Sequence, residues 1–276
     1  MFKILILIIA AVGIFFWYPT NGDPVPKELS HPSPQHSVQQ PSSEHSKATV
    51  FLLSLLPPKQ TWPEPVQKIW LSLNIEEAVQ ERTNDIDWVP ITDIPVEMQQ
   101  ALLAIEDHNF YNHGAIDVDG ILRATLVNVT AGEVVQGGST ITQQLTKNLF
   151  LSQEQTLSRK AEEALLSLVM EQHYSKDQLL EIYFNTTYFG AGATGLKAAA
   201  LTYFDKTPQE LQLAECAVIA SLPYAPSALN PLENPEGCKK RQRLVLQTMV
   251  KRGYIGTTLA EKATAEPLWL TNGTIL

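Results

Sequence analysis

Residues 137–148 read Gly-Gly-Ser-Thr-Ile-Thr-Gln-Gln-Leu-Thr-Lys-Asn, and this stretch joins a glycine loop to a helix predicted from about Ile141. Glycines let backbone N–H groups turn toward a ligand, and a helix N-terminus favours anions. An ordinary loop with a Ser/Thr cap explains the start of the stretch. It does not explain the polar side chains of Gln143, Gln144 and Lys147, of which Lys147 lies one turn beyond Gln143 on the same helix face. The stretch therefore indicates a helix that begins at an anion-binding loop.

Two further polar blocks lie on either side of this stretch. The first, from Glu106 to His113, follows an apolar helix pattern. A carboxylate at a helix C-terminus meets the negative end of the dipole, which raises its pKa and suits a general base near neutral pH. A solvated Glu-Asp pair at a helix end is the ordinary alternative.

The second block is Arg-Lys-Ala-Glu-Glu at residues 159–163. Arg159, Lys160 and Glu163 lie at i, i+1 and i+4 of a predicted helix. Their spacing alone favours an intrahelical ion pair worth ~0.3–0.5 kcal/mol. The functional alternative is a cationic cluster for phosphate with an attached carboxylate.

The bulk composition is that of a globular protein with room for one large domain or two small ones. The chain has 276 residues, of which 44% are hydrophobic and 18% charged, and its net charge is -9. This acidic balance argues against a nucleic-acid partner, which would require a basic face. It leaves room for a local cationic pocket, since net charge is a sum over the whole chain.

The N-terminus reads as an export segment. Ile4 to Tyr18 are apolar without interruption and follow Lys3, so an uncleaved anchor at residues 1–18 is favoured over a cleaved signal peptide. Residues 19–49 are rich in Pro, Ser, His and Gln, which predicts a flexible stalk. Residues 50–87 form an N-terminal extension of unknown role.

From Thr92 onward the pattern is helical and strand signals are weak, so the predicted class is mainly α. Capping boxes are predicted at Ser175 to Gln178 and at Thr207 to Glu210, the latter opening a helix that ends at Ser221. Closing helices are predicted at Arg241 to Val250 and at Leu259 to Ala265.

Two local patterns invite a functional interpretation that the sequence does not support. Gly190 to Gly195 formally matches a dinucleotide-binding fingerprint, but it follows a helical segment rather than a strand, so its glycines indicate a tight turn or close packing. Cys216 lies inside an apolar helical pattern and is expected to be a small core residue rather than half of a disulfide with Cys238. Two cysteines without clustered histidines give no zinc pattern.

Taken together, the blocks resemble the peptidoglycan glycosyltransferase (transglycosylase) family of class A penicillin-binding proteins and monofunctional glycosyltransferases. The resemblance covers residues 88–268, with 269–276 as a C-terminal tail. The family's Glu-Asp-x-x-Phe-x-x-His corresponds to Glu106, Asp107, Phe110 and His113. Its Gly-Gly-Ser-Thr-x-x-Gln-Gln-x-x-Lys-Asn corresponds to Gly137, Gly138, Ser139, Thr140, Gln143, Gln144, Lys147 and Asn148. Its third motif is residues 159–163, and its fourth contains Glu181 and Asn185.

The resemblance implies a lysozyme-like helical fold with a small membrane-proximal jaw, and polymerisation of lipid II into glycan strands. It implies that Glu106 deprotonates the acceptor 4-hydroxyl, which attacks the donor anomeric carbon with inversion. Lys147, Arg159 and Lys160 would stabilise the leaving pyrophosphate, with Glu163 assisting nearby. The residues expected to line the donor side are Ser139, Gln143, Gln144 and Asn148.

The family further implies the surroundings of the reaction. A divalent ion, Mg²⁺ or Mn²⁺, is allowed near Glu163 through the pyrophosphate, and no organic cofactor is implied. Expected partners are lipid II, the nascent glycan strand, the membrane and cell-wall synthesis proteins. The expected location is the bacterial inner membrane, with a single span and a periplasmic catalytic domain. Without a transpeptidase domain in the sequence, the enzyme is expected to be monofunctional.

Four positions depart from the family pattern. The usual glycine two residues after His113 is Ala115, and the glycine of Tyr-Phe-Gly-Lys is Asp205. The glycine and the glutamine of Gly-Leu-Pro-Gln are Ser221 and Tyr224. None removes a charged group of the motifs, although Ala115 bears on the turn after Glu106.

Two alternatives belong to other functional classes. A lysozyme-like peptidoglycan hydrolase also uses carboxylates, but it has no need of the cationic cluster. A non-catalytic scaffold that binds lipid II or peptidoglycan would be free to lose Glu106 or Glu163, and both are present.

Overall fold

The computed structural model describes residues 61–131, 137–152, 154 and 156–276. Within those ranges the chain forms α-helices, three short 3-10 helices and two isolated β-bridges but no strand, which confirms the mainly α class. The α-helices are α1 (Glu64–Leu73), α2 (Ile75–Thr83), α3 (Val96–Glu106), α4 (Val118–Ala131), α5 (Ile141–Phe150), α6 (Leu157–His173), α7 (Lys176–Thr186), α8 (Leu196–Phe204), α9 (Leu213–Ser221), α10 (Pro235–Lys251) and α11 (Thr257–Ala265).

The predicted anchor and stalk fall outside the described residues. Among the helices that are described, none is both long and apolar enough to cross a membrane. The domain boundaries therefore remain predictions.

The centre of the core is α9, which is apolar on nearly all sides. Every residue of it from Ala214 to Ser221 is buried, as expected for a helix enclosed by others. It packs against α3 and α10, and α10 also packs against α3 and α11. This group fixes α3, the helix whose last residue is Glu106.

A second packing group carries the glycine-loop helix. Here α5 packs against both α6 and α7, and α2 packs against α6. Arg82 of α2 donates from Nε to the carbonyl oxygen of Leu149 at 2.8 Å. Within the segment of unknown role, residues 50–87, helix α2 thus supports α5 and α6.

Helix starts follow the capping chemistry, with one correction. The box at Ser175 and Gln178 opens α7 as predicted. At the second site Glu210 accepts from the N–H of Thr207 at 2.8 Å, but the box opens only a 3-10 turn, Pro208–Glu210. Leu211 and Gln212 are extended, and Gln212 with Glu215 makes a new capping box that starts α9. The predicted end at Ser221 is confirmed.

The glycine-rich segment after α7 is a tight turn, as predicted. Gly190, Gly192 and Gly195 have φ of 88°, 77° and 83°. The turn is closed by hydrogen bonds of 2.8 Å from Phe189 N–H to Ala193 C=O and from Gly195 N–H to Thr187 C=O. A Cβ on Gly190 would lie 2.5 Å from the carbonyl oxygen of Pro226. The glycine therefore lets the turn lie directly against the Pro223–Pro226 segment.

The cysteines and the substituted glycine positions also have clear environments. Cys216 and Cys238 are free and buried, so Cys216 is a core residue as expected. Ala115 is buried and is not among the described residues with a positive φ, so its turn needs no glycine. Asp205 does have a left-handed backbone, with φ of 54°.

Candidate active site

Glu106 is held at the end of α3 by a chain of hydrogen bonds. The Gln144 Nε2 of α5 donates to its Oε2 at 2.9 Å. The Tyr183 hydroxyl of α7 donates to Gln144 Oε1 at 3.0 Å. Tyr183 is completely buried, so this chain fixes which end of the amide faces the carboxylate.

Several groups act on the pKa of Glu106, and the net effect is to raise it. Burial of the carboxyl is the largest cause. The Gln144 hydrogen bond and the charges of Arg241 and Lys147 lower the pKa, whereas Asp107 raises it. The direction agrees with the sequence expectation, but burial, which the sequence did not reveal, contributes most.

Asp107 fastens the end of α3 to the glycine loop. One carboxylate oxygen pairs with Nε2 of His113 at 2.7 Å. The other accepts from the backbone N–H of Ile141 at 3.0 Å, at the first turn of α5. Phe110, also of this motif, is buried with the Lys176 ammonium 4.4 Å from its ring centre. These motif residues set the position of Glu106 relative to α5.

The structure separates Gln143 from the other predicted donor-side residues. Gln143 is buried, and its Oε1 accepts from the Thr140 N–H at 3.1 Å while Thr140 Oγ1 accepts from the Gln143 N–H at 3.1 Å. Thr140 also donates from Oγ1 to the Ala115 carbonyl at 2.7 Å. The pair is a capping box for α5, so the side chain of Gln143 folds back on its own helix.

The third motif forms a compact ion cluster. Glu163 is 2% exposed. Its Oε2 accepts from Arg159 at 2.8 Å and its Oε1 pairs with the Lys160 ammonium. Lys160 also donates to Ser139 Oγ at 2.9 Å, which connects the cluster to the glycine loop. The structure thus shows the intrahelical ion pair that the spacing predicts. It also connects Lys160 to the glycine loop, which favours the alternative of a phosphate-binding cluster.

Glu106 and Gln144, which share a hydrogen bond, line two different hollows. Glu106 lines the smaller one together with Arg123 and residues 137–140. Gln144 lines a larger cavity of about 510 Å³, together with Lys147, Asn148 and Tyr224. Lys147 lines this cavity and forms no ion pair with any described residue.

Glu181 and Asn185 serve a different purpose from the cavity residues. Glu181 accepts from the Trp88 indole and from the Ile91 N–H, each at 2.7 Å. Asn185 donates to and accepts from the backbone of Val89, each at 2.8 Å. The fourth motif therefore clamps residues 88–91 to α7.

Three further residues adjoin Glu106 and the cavity without being part of the predicted site. Tyr183 orients Gln144, and the charge of Arg241 acts on Glu106. Tyr224 lines the larger cavity, and the Arg241 guanidinium lies 4.1 Å from its ring centre. Of the three, only Tyr224 carries a signal in the sequence, as a departure from the family pattern.

The described residues contain no group of three or more His, Cys, Asp or Glu side chains that could hold a metal ion. Glu163, the residue expected near a divalent ion, already binds a cation at each oxygen. Its surroundings do not fit a third cation at the carboxylate.

The chain is similar in sequence to known proteins over about two thirds of its length. The family model described as Transglycosylase matches residues 55–250, starting within the predicted N-terminal extension. Penicillin-binding protein 1A of Aquifex aeolicus is 48% identical over 181 residues, which are 66% of this chain and 25% of that protein. A protein of Cupriavidus necator named as a transglycosylase is 47% identical over 184 residues, covering 67% of this chain and 79% of the relative.

Among solved structures, penicillin-binding protein 1A from Haemophilus influenzae aligns with a TM-score of 0.41 at 24% identity, over 67% of this chain and 18% of that one. The chain spans only about a quarter of the length of the penicillin-binding proteins that it matches. The family model covers most of the chain, and the chain covers most of the Cupriavidus necator relative. The chain therefore belongs to the transglycosylase family, the peptidoglycan glycosyltransferases whose motifs surround Glu106.

Proposed function

We propose that the chain polymerises lipid II into glycan strands, with inversion at the anomeric carbon and release of lipid pyrophosphate. One observation carries the proposal. A carboxylate with a raised pKa lines one hollow together with Ser139, whose hydroxyl binds Lys160 of the cationic cluster. The same carboxylate is hydrogen-bonded to Gln144, which lines the second hollow. Joining two sugars requires a base between two binding sites, and expelling pyrophosphate requires fixed positive charge.

Glu106 is the general base. It takes the proton of the acceptor 4-hydroxyl while that oxygen forms a bond to the donor anomeric carbon. The bond from this carbon to the pyrophosphate oxygen breaks, and its electron pair leaves with the phosphate. A single displacement of this kind inverts the anomeric centre. The raised pKa makes the carboxylate a stronger base than an ordinary glutamate.

Arg159, Lys160 and Lys147 stabilise the charge that develops on the leaving group. The first two are fixed by Glu163 and Ser139, so they need little reorganisation during the reaction. Glu163 acts as the residue that positions both cations. Its oxygens already bind these two cations, so the proposed displacement uses no Mg²⁺ or Mn²⁺ at Glu163.

The exposed surface of α4 supports the proposal of a lysozyme-like helical fold with a small membrane-proximal jaw. Helix α4 carries a stripe of exposed apolar side chains, and Ala124 is its one buried side chain among the described residues. The stripe consists of Val118, Leu122, Leu126 and Val129. We propose that α4 faces the membrane that holds lipid II, with the catalytic region on the periplasmic side of the inner membrane, near other cell-wall synthesis proteins.

The test is polymerisation of labelled lipid II by the purified protein in detergent. Glu106→Gln should lower the rate by about 10²-fold to 10⁴-fold, the usual contribution of a general base, while leaving the fold intact. Glu97→Gln, an exposed residue on the same helix, is the matched control and should keep full activity.

Three results would contradict the proposal in different ways. Normal glycan from a well-folded Glu106→Gln variant would remove Glu106 from the role of base. Lipid II binding without polymer from the wild type would favour a scaffold. Cleavage of finished glycan strands would favour a hydrolase.

A further inference from the structure

The ring of Tyr224 is exposed and yet fixed in place. It is 61% exposed, although large apolar surfaces are usually covered. The Arg241 guanidinium lies 4.1 Å from the ring centre, which is cation–π geometry and holds the ring against α10. The family pattern has glutamine at this position, so the ring is a feature of this chain.

The ring lines the larger cavity beside Glu106. A volume of about 510 Å³ lies in the range of small-molecule sites, and one or two sugar rings fit in it. Tyr188, 44% exposed, supplies a second ring, and its hydroxyl accepts from the Gly192 N–H at 3.3 Å. Amide and hydroxyl groups of Gln144, Asn148 and Thr186 complete the wall. A sugar ring has C–H faces and hydroxyl groups at its edges. The aromatic rings of this wall can pack against the faces, and its amide and hydroxyl groups can bind the hydroxyls.

The guanidinium of Arg241 is held mainly by its contact with the Tyr224 ring. Among the described residues it forms no hydrogen bond or ion pair, and its Nε is buried without a partner. Its charge also acts on Glu106, which places it near the reacting carboxylate.

We infer that Tyr224, held in place by Arg241, is a stacking platform in the larger cavity for a pyranose ring of a pyrophosphate-linked substrate. The ring of Tyr224 packs against the C–H face of the sugar, and the guanidinium that lies over the ring keeps the ring in position. Lys147 lines the same cavity and meets the phosphate end. The inference rests on the proposed function for the identity of the ligand.

Binding of fluorescent lipid II to the full-length protein in detergent, measured by anisotropy, tests the subsite without requiring turnover. Tyr224→Ala should raise Kd about threefold to tenfold, the range expected when one ring contact is lost. Tyr224→Phe keeps the ring and should stay within about twofold of the wild type. Trp269→Ala removes an aromatic of similar exposure outside the cavity and should leave Kd unchanged.

A second variant separates binding from positioning. Arg241→Lys keeps the charge near Glu106 but loses the planar stack, and it should also raise Kd. An unchanged Kd in Tyr224→Ala would overturn the inference. A defect confined to kcat, with a shifted acid limb of the pH–rate profile, would also overturn the inference. The ring would then act only by positioning the charge of Arg241 near Glu106.

The outcome is independent of whether the protein polymerises lipid II. If the wild type makes no glycan but its affinity depends on the Tyr224 ring, the proposed function fails and the subsite stands. If the wild type makes glycan and removal of the ring changes neither Kd nor KM, the proposed function stands and the subsite fails.

Discussion

At the scale of single residues, Glu106 shows how opposing effects set one pKa. Burial favours the protonated acid, while the Gln144 amide and the Arg241 charge favour the carboxylate. The protein thus keeps a carboxyl in a desolvated place and still provides groups that stabilise its charged form. A general base requires both conditions, because it must hold a proton well and yet be ionised before the reaction.

The raised pKa of Glu106 makes a prediction about stability. A carboxyl whose pKa is higher in the folded state binds more protons when folded, so its contribution to stability is fully present below the unfolded pKa. That contribution is lost as pH rises through the folded pKa. Glu106→Gln should therefore have a higher Tm than the wild type at pH 7, with the difference shrinking toward pH 4.

Calorimetry of both proteins across this pH range measures the effect. A constant difference in Tm would show that burial of the charge is not its cause.

Glu163 gives a prediction about the cation cluster. Glu163→Gln removes the charge that holds Arg159 and Lys160, so activity should fall about 10-fold to 100-fold as preorganisation is lost. Stability should fall by about 1–3 kcal/mol, because two partly solvated cations lose their partner. Denaturant unfolding and lipid II turnover measure the two effects.

Glu162→Gln is the matched control on the next residue. Glu162 pairs at 3.0 Å with Lys68, which is half-exposed, so its loss should cost less than about 1 kcal/mol and leave turnover intact. Equal effects of the two substitutions would argue against a special role for Glu163.

The motifs predict which charged residues act together, and the structure shows how those residues are arranged. Glu106 lines a hollow with the glycine loop, and Lys160 donates to Ser139 of that loop. Gln143 caps α5, and its spacing from Thr140 is that of a capping box. Arg241 could not be found, since only tertiary packing brings α10 to the end of α3.

At the scale of elements, helix type was predictable and helix boundaries depended on short polar signals. Ser175 and Gln178 specify the start of α7 completely. The start of α9 was misplaced because two capping boxes follow each other within a few residues, and only the second leads into a continuous helix. Local chemistry marks candidate starts, whereas burial of α9 decides which one is used.

The C-terminus of α8 gives a prediction about backbone strain. Asp205 is left-handed where the family has glycine, and side chains with a Cβ are disfavoured there by about 1 kcal/mol or more. Asp205→Gly should therefore raise the free energy of unfolding by up to about 1 kcal/mol. Asp205→Ala should lower it, because alanine lacks the local hydrogen bonding that helps Asp in this region.

Urea unfolding of the two variants checks the order. Asp119→Gly, in the first turn of α4, is the control and should destabilise by roughly 0.5 kcal/mol, since glycine is a poor helix former. If glycine changed the free energy of unfolding in the same direction at residues 205 and 119, the argument from backbone strain would be wrong.

At the scale of the whole molecule, the apolar stripe on α4 lies on the helix that borders the smaller hollow. Gly120 and Arg123 of α4 line that hollow, beside Glu106. The helix that carries the apolar stripe therefore also forms part of the wall of the hollow beside Glu106. Sequence periodicity predicted helices in this region, but only the packed structure shows that this face remains uncovered.

The stripe predicts dependence on the lipid environment. Leu122→Ser with Leu126→Ser should lower turnover of lipid II in vesicles about tenfold, because two exposed leucines would no longer enter the bilayer. Turnover in detergent should change much less. Leu244→Ser, an exposed leucine on α10, serves as the control and should behave like the wild type in both media. Equal losses in both media would place the defect in folding or chemistry.

The buried phenol of Tyr183 determines where a proton can travel. Its hydroxyl donates to Gln144 Oε1 and so fixes the orientation of the amide. The amide nitrogen in turn donates to Oε2 of Glu106. If Glu106 acts as proposed, the proton taken from each incoming sugar must settle on Oε1. The base has to be emptied again before the strand can grow by another unit, and the smaller hollow beside it has room for a water molecule. The pace of elongation then depends on proton release as well as on bond formation.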